Sequence, residues 1–146
     1  MSIASHKAQG VSLLLRGHVW LAAAVMPILV DMLNLPMLMR LLTPPRWWKP
    51  YRGASVEQML DVVQRRLSRP INMRRRVCLR RSLVLYHFLL LAGRQASIEF
   101  GVFAPSAEDG SMHGHCWVSV DGQAVTDESN LPPAIVYRGG GAGGAK

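Results

Sequence analysis

The sequence is poor in cysteine and has no long uninterrupted apolar run. Two cysteines in 146 residues are too few for a secreted scaffold held by disulfides, so we expect a reducing compartment, the cytoplasm. The longest stretch without a polar residue, Val19 to Val30, has 12 residues, against the ~20 needed to cross a bilayer. A disulfide-rich secreted protein is therefore excluded, and a membrane-spanning one is disfavoured.

Acidic residues are also scarce, with 9 Asp and Glu against 17 Lys and Arg and a net charge of +8. This positive charge favours binding to an anionic membrane surface, to nucleic acid or to an acidic partner, and it does not distinguish among them. Hydrophobic residues reach 49% while charged residues stay at 18%, which is typical of a compact domain and excludes a disordered chain. The length suits one domain.

Residues 1–54 form an apolar segment that ends in a connector rich in proline and tryptophan. Leu, Val, Ala and Met dominate from Val11 to Leu42, and no signal-peptide cleavage site stands out. We expect helices here that pack on the core or dock on a partner, with contact with a membrane surface as the alternative. In the connector, Trp47 and Trp48 are expected to pin the loop to the core.

Two helices are predicted in the next part of the chain. Ser55 and Gln58 form a capping-box pattern at the start of the first. The stretch from Cys78 to Ala92 has no helix breaker and is apolar on most sides, which predicts a buried helix ended by Gly93. Inside that helix, His87 is expected to be packed or hydrogen-bonded rather than a ligand.

Strands follow the helices. Alternating apolar residues predict a strand over 97–104, and residues 115–127 predict a hairpin that turns at Asp121-Gly122. Helices first and antiparallel strands afterwards predict an α+β core over 55–138. The glycine-rich residues 139–146 are expected to form a flexible tail.

Cys78 is the candidate nucleophile. The unpaired N–H groups and the positive dipole end at a helix start stabilise a thiolate, and arginines flank this position on both sides. His115 on the first strand of the hairpin would act as the base, and Asp127 would orient its ring. A cysteine on a helix with a histidine and an aspartate on neighbouring strands is typical of thiol-dependent catalysis.

The register of the hairpin decides whether Asp127 faces His115. A two-residue turn at Asp121-Gly122 puts Asp127 opposite Cys116, whereas a three-residue loop with a bulge puts it opposite His115. Opposing residues share one face of a sheet, so the chemistry requires the bulged register.

Two segments resemble a known family. Cys78-Leu-Arg-Arg-Ser-Leu is similar to a C-L-x-R-S-L helix start, and Gly114-His-Cys-Trp-Val-Ser-Val-Asp-Gly to an A-H-A-W-V-E-x-D-G hairpin. Both patterns are found in the transglutaminase-like cysteine peptidases of lasso-peptide biosynthesis. The resemblance covers residues 55–130. It implies a papain/transglutaminase-type fold with Cys78 as nucleophile, His115 as base and Asp127 as orienting acid.

The resemblance also implies a function and partners. The family removes the leader from a ribosomally made precursor peptide, whose core then passes to an ATP-using lasso cyclase for macrolactam closure. No cofactor, no metal and no nucleic acid is implied. Some members carry an N-terminal leader-recognition domain with strands, and residues 1–54 lack strand alternation. We therefore expect a stand-alone peptidase that works with a separate leader-recognition protein.

Three positions depart from the family pattern. Gly114 and Cys116 stand where the family has alanines beside the histidine, and Ser119 stands where glutamate is usual. Small residues at the first two positions keep the strand packing feasible, and Cys116 adds a second thiol near the site.

The donors of the oxyanion hole are weakly specified by the sequence. The backbone N–H of Cys78 is the first expected donor, and Asn72 is proposed as the second. Trp117, next to the histidine motif, is a candidate substrate contact.

Other classes of protein stay open. Zinc would take the ligands Cys78, His113, His115 and Cys116, although adjacent strand residues face opposite sides and no C-x₂-C pair is present. A non-catalytic basic module would use the arginines around Cys78 to bind phosphates or an acidic peptide. A third alternative keeps the catalytic triad, but the acyl group passes to an amine, as in transglutaminases, instead of to water.

Overall fold

Helices precede strands along the whole described chain. The computed structural model describes residues 13–68, 77–103, 113–126 and 134–139. The helices are α1 (Leu13–Met32), α2 (Leu35–Leu42), α3 (Val56–Leu67) and α4 (Val77–Leu91). The strands are β1 (Ala96–Phe103), β2 (His113–Val120), β3 (Gln123–Ala124) and β4 (Ala134–Gly139), in one antiparallel sheet of order β3-β2-β1-β4. The expected α+β architecture is confirmed.

Helix α4 is the centre of the core. It packs against α1, α2 and α3 and against β1 and β2, so its side chains are buried on most sides. Gly93 follows with φ of 80°, the left-handed conformation that ends a helix and that glycine adopts without strain. The predicted buried helix and its glycine stop are thus confirmed, and they fix the start of α4 against β2.

Helix α1 has one buried and one exposed apolar face. Its buried residues join the same core as α3 and α4, so the N-terminal segment packs internally on that side. Among the described helices, α1 alone is long and apolar enough to cross a membrane, a test that core helices and signal sequences also pass. The exposed face carries Leu14, Leu21, Val25, Ile28 and Met32.

The connector between α2 and α3 is held to the core by a different residue from the two that were expected. Trp47 is 83% exposed and Trp48 44% exposed, so the prediction that both pin the loop to the core is wrong. Tyr51 provides the anchor instead, because it packs on the core and its hydroxyl lies 2.9 Å from Nδ1 of His18. The backbone N–H of Tyr51 also donates to the carbonyl oxygen of Leu91 at 3.3 Å, so this residue ties the connector to both α1 and α4.

Helix α3 begins as predicted. The Ser55 hydroxyl accepts from the backbone N–H of Gln58 at 3.1 Å, and the Gln58 side chain accepts from the N–H of Ser55 at 3.0 Å. This reciprocal capping box is confirmed. The polar face of α3 carries the exposed ion pair of Arg65 with Asp61.

The hairpin of β2 and β3 has a two-residue turn. Ser119 pairs with Ala124, and both Asp121 (φ 52°) and Gly122 (φ 82°) adopt the left-handed conformation of a type I′ turn. The three-residue bulged loop that the sequence analysis required is therefore wrong. Beyond Ala124 only half of the next backbone pair forms: the N–H of Val125 donates to the carbonyl oxygen of Val118 at 2.8 Å, while the N–H of Val118 donates to the hydroxyl of Thr126 at 2.9 Å.

Strand β4 was not predicted. It pairs with β1 and covers Ala134–Gly139, with a register shift at Phe100/Gly101. Its β-branched and aromatic residues are typical of a strand, but the two prolines before it favour a loop. Gly139, assigned to the flexible tail, is the last residue of this strand, while 140–146 lie outside the described residues.

Two histidines lie close together between α1 and α4. The ring centroids of His18 and His87 are 5.9 Å apart, and Nδ1 of His87 donates to the carbonyl oxygen of Leu42 at 2.8 Å. The expectation that His87 is packed and hydrogen-bonded is confirmed. Burial lowers the pKa of both histidines, and the charge of His18 lowers the pKa of His87 further.

This pair predicts loss of stability in mild acid. A histidine whose folded pKa is lowered contributes stability above its unfolded pKa of about 6.5, and that contribution is lost as the pH falls below that value. For His87 the unfolded pKa of about 6.5 limits the loss in free energy of unfolding to at most about 1 kcal/mol between pH 7 and pH 5.5. Urea unfolding followed by circular dichroism measures it. His87→Asn keeps an N–H donor without titrating, so an unchanged pH slope in that variant would contradict the assignment.

Candidate active site

Cys78 is the second residue of α4 and is exposed to solvent. The first turn of a helix has backbone N–H groups without intrahelical partners, and the N–H of Leu79 is hydrogen-bonded to the Cys78 sulfur. The cysteine therefore lies at the start of a buried helix, as predicted. A cysteine exposed at the start of a helix can be reached by a substrate carbonyl.

The thiol of Cys78 is strongly acidified. Its pKa is lowered to about 5, chiefly by a hydrogen bond from the side chain of Cys116, then by the backbone N–H of Cys116, the positive charge of His115 and the N–H of Leu79. Partial burial of the sulfur opposes these effects. At neutral pH the side chain is a thiolate, the form that acts as nucleophile.

Cys116 plays the opposite electrostatic role. Its side chain is buried, and both burial and the hydrogen bond to Cys78 raise its pKa, so it keeps its proton. One S–H proton has two acceptors here, Cys78 and the Ser82 hydroxyl at 3.5 Å. Hydrogen bonds to ionised acceptors are the stronger ones, so the S–H of Cys116 donates to the ionised sulfur of Cys78 and keeps its proton. Cys116 is a donor to the thiolate rather than a second nucleophile.

Ser82 fixes Cys116 against α4. It lies one helical turn after Cys78, and its hydroxyl donates to the backbone oxygen of Cys116 at 3.3 Å. This contact joins the helix that carries the nucleophile to the strand that carries its neighbours. Sequence reasoning missed this role, although Ser82 belongs to the helix-start motif.

His115 lies on the opposite side of β2 from Cys116, as alternation along a strand requires. It is half-buried, and its ring lies 6.2 Å from that of Trp117 with an angle of 22° between the planes. Its charge nevertheless lowers the pKa of Cys78. The expected base thus acts electrostatically on the expected nucleophile.

Trp117 is buried and supports the ring of His115. Its indole N–H donates to a carboxylate oxygen of Glu99 at 3.1 Å, and Glu99 is its partner in the β1–β2 register. Glu99 was not recognised as a site residue, because an acid among alternating apolar residues is normally on the solvent side of a strand. Its burial shows only once the sheet is assembled.

Two predicted site residues, Asp127 and Asn72, lie outside the described residues. The observed two-residue turn is the register that puts Asp127 opposite Cys116 on a continued ladder, and the ladder itself ends at Ala124. The role of Asp127 as orienting acid and that of Asn72 as oxyanion donor stay predictions.

The departures from the family pattern fit the local packing. A Cβ added at Gly114 would meet no atom within 4 Å, so either alanine or glycine is accommodated there. The side chain of Cys116 fills the position of the second alanine and reaches Ser82. Ser119 is buried on the same face as Trp117.

The zinc alternative has no support in the described part of the chain. No three His, Cys, Asp or Glu residues there form a group that could hold a metal ion. The side chain of Cys116 contacts α4, whereas that of His115 is on the other side of the strand. This is the separation that strand alternation predicts for adjacent residues.

The fold and this site define a class: an α+β protein with an acidified thiol at a helix start, packed against an antiparallel strand that carries a histidine. The family model of the transglutaminase-like superfamily matches residues 20–134, and the chain belongs to that superfamily. Its members are typically cysteine peptidases or transferases. Comparison with curated proteins and with solved structures returned no match.

Proposed function

We propose that the protein is a cysteine peptidase that removes the leader from a ribosomally made lasso-peptide precursor, in the cytoplasm, before macrolactam closure. The observation that carries the peptidase reaction is the Cys78 thiolate at the start of α4, with a pKa of about 5 that the charge of His115 helps to lower. Membership in the transglutaminase-like superfamily supports peptidase-type chemistry. The two sequence motifs support the specific substrate.

The proposed reaction proceeds in two steps. The Cys78 sulfur attacks the scissile carbonyl carbon, and the C–N bond breaks as His115 protonates the leaving amine, which leaves a thioester. Water then loses a proton to His115 and attacks the thioester, the C–S bond breaks, and the Cys78 thiolate is restored. The Cys78 backbone N–H is the first proposed oxyanion donor.

The proposed partners are the precursor peptide, a separate leader-recognition protein and the lasso cyclase. The exposed apolar face of α1 supports a docking role for the N-terminal helices, because contiguous exposed apolar surface commonly marks an interaction site. Contact of the same face with a membrane surface is the competing proposal.

The test is cleavage of the precursor peptide encoded beside this gene, with its recognition protein present, followed by mass spectrometry. We expect one cut that releases the whole leader, and its loss by at least about a thousandfold in Cys78→Ala. Circular dichroism checks that the variant is folded. A cut that survives Cys78→Ala would remove the peptidase proposal.

Adding a primary amine to the same reaction separates hydrolysis from transfer. Hydrolysis releases a free carboxylate, whereas an acyl transferase releases an amide whose mass includes the amine. If the amide is the main product, the protein is an acyl transferase and not a peptidase. The thioester step is common to both reactions and would stand.

A further inference from the structure

A cavity of about 640 Å³ lies at the end of α4 remote from Cys78. It is bounded by α2, by the connector between α2 and α3, and by the last turn of α4 with the residues that follow it. Its volume is in the range of ordinary ligand sites. No residue placed in the candidate active site lines it.

The cavity combines cations with apolar walls. The described residues that line it include four cations and no acid: Arg40, Arg46, Lys49 and Arg94. Apolar side chains form much of the remaining wall: Met39, Pro44, Pro45 and Leu90. Such a site is complementary to a ligand that carries both carboxylates and apolar groups.

Two of the cations are held by their surroundings. The stem of Lys49 lies against Gly93, so closely that a Cβ there would be 3.3 Å from the Lys49 Cδ. The Arg94 guanidinium donates to the carbonyl oxygen of Ala54 at 3.3 Å. Side chains ordered in advance lose less entropy when a ligand binds.

We propose that this cavity binds an acidic, partly apolar stretch of the peptide substrate, outside the part that is cleaved. This rests on the proposed peptidase function and adds a recognition site to it. A concave site suits a short extended peptide better than a lipid surface, which is broad and flat. The net charge of +8 favours approach of an acidic chain from solution.

Helix geometry sets the spacing between recognition and cleavage. Cys78 and Leu90 are twelve residues apart on α4, a separation of about 18 Å at 1.5 Å per residue. An extended peptide covers at most about 3.3 Å per residue, so at least about five or six residues must separate the acidic stretch from the cleaved bond.

The binding test uses the full chain with Cys78→Ala and a fluorescein-labelled twelve-residue peptide in which Glu alternates with Leu and Phe. Fluorescence anisotropy gives its Kd, with a Gln-for-Glu peptide as control. We expect Arg40→Gln/Arg46→Gln to raise the Kd at least about tenfold. The matched control, Arg16→Gln/Arg65→Gln, removes the same charge outside the lining and should change the Kd less than about twofold.

Three results would overturn the proposal: equal binding of the Gln peptide, equal loss in both double variants, or binding to phosphatidylglycerol vesicles with none to the peptide. The cleavage assay separates this site from the proposed reaction. Cleavage without charge-dependent peptide binding removes the recognition site alone. Peptide binding that depends on Arg40 and Arg46, without cleavage by the active protein, removes the peptidase proposal alone.

Discussion

His115→Ala is expected to stop turnover while leaving Cys78 reactive. The side chain and backbone of Cys116 lower the pKa of Cys78 more than the charge of His115 does, so the thiolate persists without the histidine. In the proposed reaction His115 gives a proton to the leaving amine as a general acid and takes one from water as a general base, so its loss disables both steps. General acid–base groups typically contribute 10²–10⁴-fold, and a loss in kcat of about that size is expected.

Two measurements on the same variant distinguish these roles. Cleavage of the precursor reports turnover, and iodoacetamide labelling of Cys78 at pH 7, located by peptide mass mapping, reports the thiolate. His113→Ala is the control on the same strand, and we expect it to retain turnover. A zinc module would instead lose bound metal in both variants. Turnover above about a tenth of wild type in His115→Ala would contradict its role as base.

Cys116→Ala is expected to raise the pKa of Cys78 and to change its reactivity in opposite directions at low and high pH. The variant removes the S–H donor that contributes most to the lowered pKa and keeps the backbone N–H. A higher pKa lowers the thiolate fraction near pH 6, so the variant should be alkylated more slowly than wild type there. Once fully ionised, the less acidic thiol is the better nucleophile, so above pH 8 the variant should be alkylated faster.

The pH profile of iodoacetamide labelling measures this directly. Cys116→Ser is the matched control, because its hydroxyl can donate to the thiolate, and we expect its profile to stay closer to that of wild type. Superimposable pH profiles for the wild type and Cys116→Ala would show that the thiol of Cys116 does not stabilise the thiolate of Cys78. The effect on labelling does not depend on cleavage, so it tests the role of Cys116 whatever the substrate is.

Local patterns predicted the elements that position Cys78. The capping box of Ser55 and Gln58, and the glycine that ends α4, act within a few residues and leave a direct trace in the sequence. The place of Cys78 at the start of a buried helix followed from the same kind of pattern. These features depend on local backbone geometry, which one sequence records well.

Features that depend on assembly were not predictable in this way. The exposure of Trp47 and the burial of Glu99 are decided by which surfaces meet, and neither residue type nor spacing encodes that. The register of the hairpin depends on whether the loop at Asp121-Gly122 has two or three residues. The cationic cavity draws its lining from α2, the connector and α4, so no single segment carries its signature.

The register of β2 against β1 decides which side chains of β2 face the start of α4. Side chains alternate along β2, so sliding this strand by one residue against β1 would exchange the sides occupied by His115 and Cys116. The thiol would leave α4 and the imidazole would take its place in the core. The eight residue pairs between β1 and β2 oppose that slip, and so help to decide which side chain hydrogen-bonds to the sulfur of Cys78.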